Sequence, residues 1–179
     1  MMTSLDGYFE GLNHDLSWHH TDDEFNNFAI KQTGEVGTIL FGRRTYEMMA
    51  DYWSKDAAYA ENPAKIVHQM NDIPKVVFSH SLAIATWSNT KLVSTGVESF
   101  VRDLKTSAKQ DLAIFGSNNL MVSLAEVGLV DEFRIMLNPV ALGRGTALFT
   151  GLTRRFDLRL TSTRAFKNGN LLLTYHPST

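Results

Sequence analysis

The chain of 179 residues has no cysteine, which removes disulfides, thiolate metal sites and a cysteine nucleophile from consideration and suits a reducing, cytoplasmic setting. It has little net charge: 17 Lys and Arg stand against 19 Asp and Glu, giving -2. Without a basic excess, nothing global draws it to nucleic acid or to an anionic membrane surface. No apolar run nears the ~20 residues of a membrane span, and no basic region precedes an apolar one at the start. Prolines number only four, each near an expected element edge. The Gly-x-Gly-x-x-Gly fingerprint of dinucleotide-binding domains and the Gly-x-Ser-x-Gly nucleophile elbow are both missing.

What is there is an alternation of strand and helix patterns with no linker or repeat, which predicts one α/β domain over residues 1–179 with a mainly parallel sheet. Strands are expected over 3–9, 36–41, 74–79, 91–94, 111–115 and 132–138. Helices are expected over 22–34, 43–53, 63–70, 97–109 and 118–127. Thr21 or Asp22 can cap the first helix and Asn62 the third. The tail 158–175 alternates and turns at Asn168-Gly169, predicting a closing antiparallel hairpin and hence a mixed sheet.

Two junctions stand out. Ile39-Leu40-Phe41-Gly42-Arg43-Arg44-Thr45 runs from a buried strand through a glycine into a helix start that carries two arginines and a hydroxyl. Ala113-Ile114-Phe115-Gly116-Ser117-Asn118-Asn119 repeats the strand–glycine–helix pattern. Unpaired N–H groups and the positive helix end make each a phosphate-sized socket. In a parallel sheet both would lie at the carboxyl edge, where open α/β sheets bind ligands. Two sockets suit a dinucleotide better than a single phosphate. Ser79-His80-Ser81 ends a buried strand and reads first as a polar strand exit, the alternative being a hydroxyl and an imidazole that meet an adenosine ribose or its 2′-phosphate. His14, His19, His20, Asp22 and Asp23 match no zinc-ligand spacing and read as a solvated loop, so no metal is expected. Gly143-Arg144-Gly145 reads as a tight turn at the rim of a ligand site. Trp18, Phe25, Tyr46 and Trp53 read first as core.

The motifs together resemble the dihydrofolate reductase superfamily, in its branch related to the C-terminal reductase domain of the bifunctional riboflavin-biosynthesis deaminase/reductase. Ser4-Leu5-Asp6-Gly7-Tyr8 resembles that branch's opening signature, and Gly42-Arg43-Arg44-Thr45-Tyr46-Glu47 its Gly-Arg-x-Thr-x-Glu segment. Ile114-Phe115-Gly116-Ser117 resembles its strand ending in paired glycines, with a serine in the second place. Asn138-Pro139-Val140-Ala141-Leu142-Gly143-Arg144-Gly145 before Leu148-Phe149 resembles its Pro-x-x-Leu-Gly-x-Gly segment.

The resemblance implies a three-layer α/β/α fold around a central mixed, mostly parallel sheet, with NADPH as cofactor and hydride transfer to a small molecule. A ribosylamino-pyrimidine phosphate is the first candidate substrate. Dihydrofolate, or NADPH sensing without turnover, is the alternative. Carried over, Gly42, Arg43, Arg44, Thr45, Ser79, Gly116, Ser117, Asn118 and Asn119 would hold the cofactor, and Asp6 would face substrate and nicotinamide. Asp23 is a second candidate acid, by a looser likeness of Leu16-Ser17-Trp18-His19 and the following helix to true dihydrofolate reductases. His80 stands where relatives often carry an arginine near the 2′-phosphate. The branch commonly pairs, so a homodimer is expected, with Leu171-Leu172-Leu173 as an interface or buried strand.

Overall fold

A computed structural model describes residues 1–178. In chain order its elements are β1 (Met2–Thr3), β2 (Tyr8–Glu10), a 3-10 turn (Leu12–His14), α1 (Asp23–Gly34), β3 (Val36–Gly42), α2 (Arg43–Trp53), α3 (Asp56–Glu61), α4 (Ala64–Asp72), β4 (Lys75–Phe78), β5 (Thr90–Val93), α5 (Val97–Ser107), β6 (Asp111–Ile114), α6 (Asn118–Glu126), β7 (Phe133–Leu137), β8 (Thr146–Ala147), β9 (Leu158–Ala165) and β10 (Leu171–Pro177). The architecture is α/β, as the alternation of patterns predicted. The contacts cluster into two compact units, one of Met1–Phe25 with the chain from Met121 onward, the other of Asn26–Leu120.

The Asn26–Leu120 unit carries a four-stranded, wholly parallel sheet in the order β5-β4-β3-β6. Parallel strands need crossovers: α2, α3 and α4 lie between β3 and β4 and α5 between β5 and β6, while β4 and β5 are joined by the helix-free stretch 79–89. The central strand β3 reads Val-Gly-Thr-Ile-Leu-Phe-Gly, with Ile39, Leu40 and Phe41 all buried, as a strand covered on both faces must be. Phe41, Tyr46 and Trp87 form an aromatic cluster with ring centroids 6.0–6.5 Å apart. The Tyr46 hydroxyl accepts the Trp87 backbone N–H at 2.8 Å, so the buried phenol is satisfied.

Lys75 is also buried there. Its ammonium donates to the carbonyls of Asn71 and Ile73 at 2.9 and 2.7 Å and lies 4.5 Å from the centre of the Trp87 ring. Burial lowers its pKa to about 8, yet the carbonyls at the end of α4 still hold a cation at neutral pH.

The other unit holds a four-stranded mixed sheet in the order β1-β7-β10-β9, and a separate β2-β8 pair. β1 runs parallel to β7, and the rest are antiparallel. The hairpin turns where predicted, with Gly169 at φ +89 and Phe166 N–H bonded to Asn170 O at 2.8 Å. Leu171, Leu172 and Leu173 lie on β10, paired to β7 on one side and β9 on the other.

Several boundaries differ from expectation for local reasons. The expected strand 3–9 is interrupted by a turn at 4–7, with Gly7 at φ +84. Asn62 does not cap α4: Pro63 holds the cap position, and the Asn62 amide donates to Tyr52 Oη at 2.6 Å and Ala58 O at 3.0 Å. α3 and β8 were not foreseen, because six residues without strong periodicity and a two-residue strand carry no pattern. At α1 it is Asp22 that caps, accepting the Phe25 N–H at 2.8 Å. Among the described residues no helix is long and apolar enough to cross a membrane.

Candidate cofactor cradle and the Asp6 clamp

The parallel sheet brings the two glycine junctions together. β3 lies between β4 and β6, with Gly42 opposite Phe78 and Leu40 opposite Ile114. Ser79, Gly42 and Gly116 therefore leave neighbouring strands at one carboxyl edge. Gly42 is the N-cap of α2 in extended conformation and offers no side chain to the first turn, leaving its N–H groups open to an anion.

The junctions are bonded to each other. Gly42 N–H donates to Ser117 Oγ at 3.0 Å, and Ser117 N–H donates to Thr45 Oγ1 at 3.0 Å. Ser117 adopts φ +43, rare for a side-chain-bearing residue, and Gly116 adopts φ +66. A Cβ on Gly116 would come within 2.6 Å of Thr45 Cγ2. Thr45 thus packs against a bare glycine backbone while its hydroxyl takes the next N–H. Ser117 uses its own hydroxyl to fasten the neighbouring strand end.

Arg43 is exposed and forms an i,i+4 pair with Glu47 at 3.1 Å. Such a pair is worth about 0–1 kcal/mol, so the guanidinium is easily claimed by a phosphate. Arg44 is exposed on the same turn. Ser79 Oγ accepts the N–H groups of Leu82 and Ser81 at 2.9 and 3.2 Å, closing a turn and leaving the hydroxyl proton to donate. Asn118 is buried, and among the described residues its Nδ2 has no hydrogen-bond partner. A buried amide donor without an acceptor costs about 1–3 kcal/mol, and a bound phosphate or carbonyl would relieve it. Asn119, the next residue, is exposed.

In the other unit, Asp6 stands after β1 in the turn at 4–7. Its Oδ1 accepts the Ser4 hydroxyl at 2.6 Å and the Leu142 N–H at 3.1 Å, and its Oδ2 accepts the Gly143 N–H at 2.7 Å. These three donors, Ser4 first, lower its pKa to about 2. The usual carboxyl titrates near 3.8, so the clamp's contribution to stability is present above that value and is lost as pH falls through about 2. An acid held this low carries no proton at neutral pH. It serves as an anion that positions and accepts, and any proton passing it must come through water. Asp23 sits exposed on the first turn of α1, one residue beyond the cap.

The histidine-rich loop has local jobs. His14 Nδ1 pairs with Glu10 at 2.9 Å, and His19 stacks edge-on against buried Trp18 at 4.5 Å. Burial lowers the His19 pKa to about 4, so its ring is neutral at pH 7. The backbone of His20 is held by Asn138 Oδ1 at 2.9 Å and Asn170 Nδ2 at 2.8 Å. Sequence reasoning missed Ser4, Asn138 and Asn170 as structural residues. All three are almost fully buried polar side chains, and only the polar breaks in apolar runs signalled them.

The comparisons agree on this α/β fold and give the chain its family. The chain belongs to the RibD C-terminal domain family, whose model matches residues 1–172. It is similar to the uncharacterised protein YyaP of Bacillus subtilis, 29% identical over 98% of this chain and 92% of that one. Its fold matches a putative riboflavin biosynthesis protein from Shewanella sp. PV-4 (TM-score 0.76, 22% identity, 100% and 97% of the two chains). It also matches a diaminohydroxyphosphoribosylaminopyrimidine deaminase/5-amino-6-(5-phosphoribosylamino)uracil reductase from Thermotoga maritima (TM-score 0.69, 14% identity), covering 99% of this chain and 55% of that one.

The Gly116–Thr45 contact makes a stability prediction. Gly116→Ala adds a Cβ in a left-handed conformation against Thr45 Cγ2 and should destabilise by about 1–3 kcal/mol in urea unfolding. Thr45→Ser deletes Cγ2 but keeps Oγ1, so the double variant should recover part of that loss. Strict additivity of the two changes would show that the contact is not the cause.

Proposed function

We propose that this chain is a cytoplasmic NADPH-dependent reductase that transfers hydride to a ribosylamino-pyrimidine-type substrate, as a 5-amino-6-(5-phosphoribosylamino)uracil reductase does. The observation that carries the reading is the pair of glycine junctions latched through Thr45 and Ser117, with the orphaned Asn118 amide beside them. Support for the chemistry comes from the family and from the reductase named among the structural relatives.

In this reading Arg43 and Arg44 take phosphate charge at the start of α2, and Thr45 and Gly42 shape the socket. Gly116 lets a pyrophosphate approach the backbone, Ser117 and Asn119 flank it, and Asn118 donates its free amide proton. Ser79 donates to the ribose at the adenosine end. When bound, NADPH supplies the hydride, which adds to the carbon of a polarised C=O or C=N group while the heteroatom takes a proton. The chain's part is to orient, to hold charge and to admit that proton. Asp6, ionised and fixed, accepts a hydrogen bond from a substrate hydroxyl or amine and holds a water for proton delivery. Asp23 is the second acid considered, and it belongs to the pterin-reducing alternative. The protein works as a homodimer, a state common in this branch.

NADPH should bind at micromolar levels, and Arg43→Ala should weaken it about ten- to a hundredfold, since a charge-assisted phosphate contact is worth roughly 1.5–3 kcal/mol. Calorimetry giving the same affinity for a folded variant would remove Arg43 from the cofactor site.

Steady-state NADPH oxidation with the ribosylaminopyrimidine phosphate tests the activity. Asp6→Asn should lower kcat/KM by ~10²–10⁴-fold with NADPH affinity nearly unchanged, while Asp23→Asn should cost little. The reverse ranking, with dihydrofolate as the active substrate, would replace this reading by pterin reduction. Binding without turnover of either would make the chain a sensor.

Light scattering at micromolar concentration should give about twice the 20.1 kDa of one chain. A mass of one chain would exclude the dimer.

A further inference from the structure

Two of the sequence motifs turn out to be one device. The opening Ser4-Leu5-Asp6-Gly7-Tyr8 and the late Asn138–Gly145 segment lie more than 130 residues apart in the chain, yet they are bonded rung by rung. Asn138 N–H donates to Thr3 O at 2.7 Å, and Leu5 N–H to Val140 O at 2.7 Å. Leu142 and Gly143 then donate to the two oxygens of Asp6. Leu148 N–H donates to Gly7 O at 3.0 Å, and Thr146 Oγ1 bonds Glu10 Oε1 at 2.7 Å. Between the ties at Gly143 and Thr146 lie only Arg144 and Gly145.

Gly145 is obligatory, and Gly143 is favoured. Gly143 adopts φ +70, and a Cβ on Gly145 would sit 2.1 Å from Glu10 O. The turn is therefore fixed in shape, and what it displays is a single exposed side chain, Arg144. The two carboxylates tied to this frame are already committed. Asp6 accepts three donors, and Glu10 is shared by Thr146 and His14. Among the described residues Arg144 has no carboxylate partner. Most other arginines of the chain are paired or bonded, Arg43, Arg102, Arg134, Arg155 and Arg164 with acids on their own surface.

We propose that Arg144 is the residue that recognises the substrate's phosphate monoester, and that Asp6, bonded to the two residues before it, is the positioning residue that aims it. A guanidinium offers five donors in a planar fork that matches phosphate oxygens two at a time, and flanking glycines leave room for that approach. The inference rests on the reading of the substrate as a phosphorylated ribosylaminopyrimidine. It gives the exposed, strongly ionised Asp6 a second task besides the one proposed above.

The test uses the whole chain labelled with ¹⁵N and three probes: ribose 5-phosphate, ribose and inorganic phosphate. Ribose 5-phosphate should shift the Arg144 Nε–H resonance, and ribose should not. Arg144→Ala should weaken ribose 5-phosphate about ten- to a hundredfold and raise KM for the phosphorylated substrate by a like factor. KM for the dephosphorylated substrate and affinity for NADPH should stay unchanged. Arg144→Lys should restore only part of the affinity, because it keeps the charge and loses the fork. Asp6→Asn should lower ribose 5-phosphate affinity as well as turnover, which a purely catalytic Asp6 would not do.

Inorganic phosphate binding as tightly as ribose 5-phosphate would overturn the assignment to a substrate. So would turnover with NADPH in which Arg144→Ala leaves the phosphorylated KM alone, the reductase reading then standing. A shift at Arg144 by ribose 5-phosphate in a protein that oxidises no NADPH would do the opposite, keeping the anion site and ending the reductase reading.

Discussion

A single backbone N–H sets the terms for the candidate cofactor site. Ser117 follows a left-handed glycine and is itself left-handed, so its amide points away from any ladder partner. Thr45 Oγ1 takes that amide from the neighbouring helix start, and Ser117 Oγ returns the favour to Gly42. The reciprocal bonds fix two helix N-termini at one spacing. Two anion sockets at fixed spacing can recognise two linked phosphates, whereas two independent ones would recognise phosphate alone. The conformational cost at Ser117 is of the kind that persists only where surroundings over-determine it and that clusters at ligand sites.

The other unit applies the same economy with a carboxylate. Asp6 is exposed to water, where an ion pair would be worth little. It binds no cation. It gathers two backbone N–H groups and a buried hydroxyl, and so turns a flexible glycine turn into a rigid one. Charge-assisted bonds to backbone amides are stronger than neutral ones and are not lost to side-chain motion on the donor side. Buried Asn138 and Asn170 do comparable work for the loop that carries Trp18, holding its backbone at His20.

Lys75 shows why burial alone is a poor guide to function. It is among the most buried side chains of the chain and its pKa is shifted, the two marks by which a catalytic lysine is often sought. Its three donors nevertheless end on carbonyls around the end of α4 and on Ser88, and its charge lies on Trp87. It fastens a helix to a sheet. Asn118 offers the contrast: a smaller buried polar group at the sheet's carboxyl edge whose amide donor has no partner among the described residues.

By itself the sequence determined the α/β class, a mainly parallel sheet, the closing hairpin at Asn168-Gly169 and the two glycine junctions. Each is a local matter: hydrophobic period, strand length, and a glycine where a positive φ is needed. α3 and β8 escaped it, being too short to carry a period, as did the cap of α4, where Asn62 found a better partner in Tyr52 than in its own helix. Only the tertiary structure decided that Ser117, Thr45 and Gly42 are bonded to one another, because a hydroxyl's partner 72 or 75 residues away leaves no mark on its neighbours. It also decided that Asp6, read from sequence as an acid facing substrate, is held ionised by the Ser4 hydroxyl first and then by the N–H groups of Gly143 and Leu142. Ser4 is a local partner, but the two backbone donors arrive from more than 130 residues away only when the chain has folded, and no local pattern encodes them.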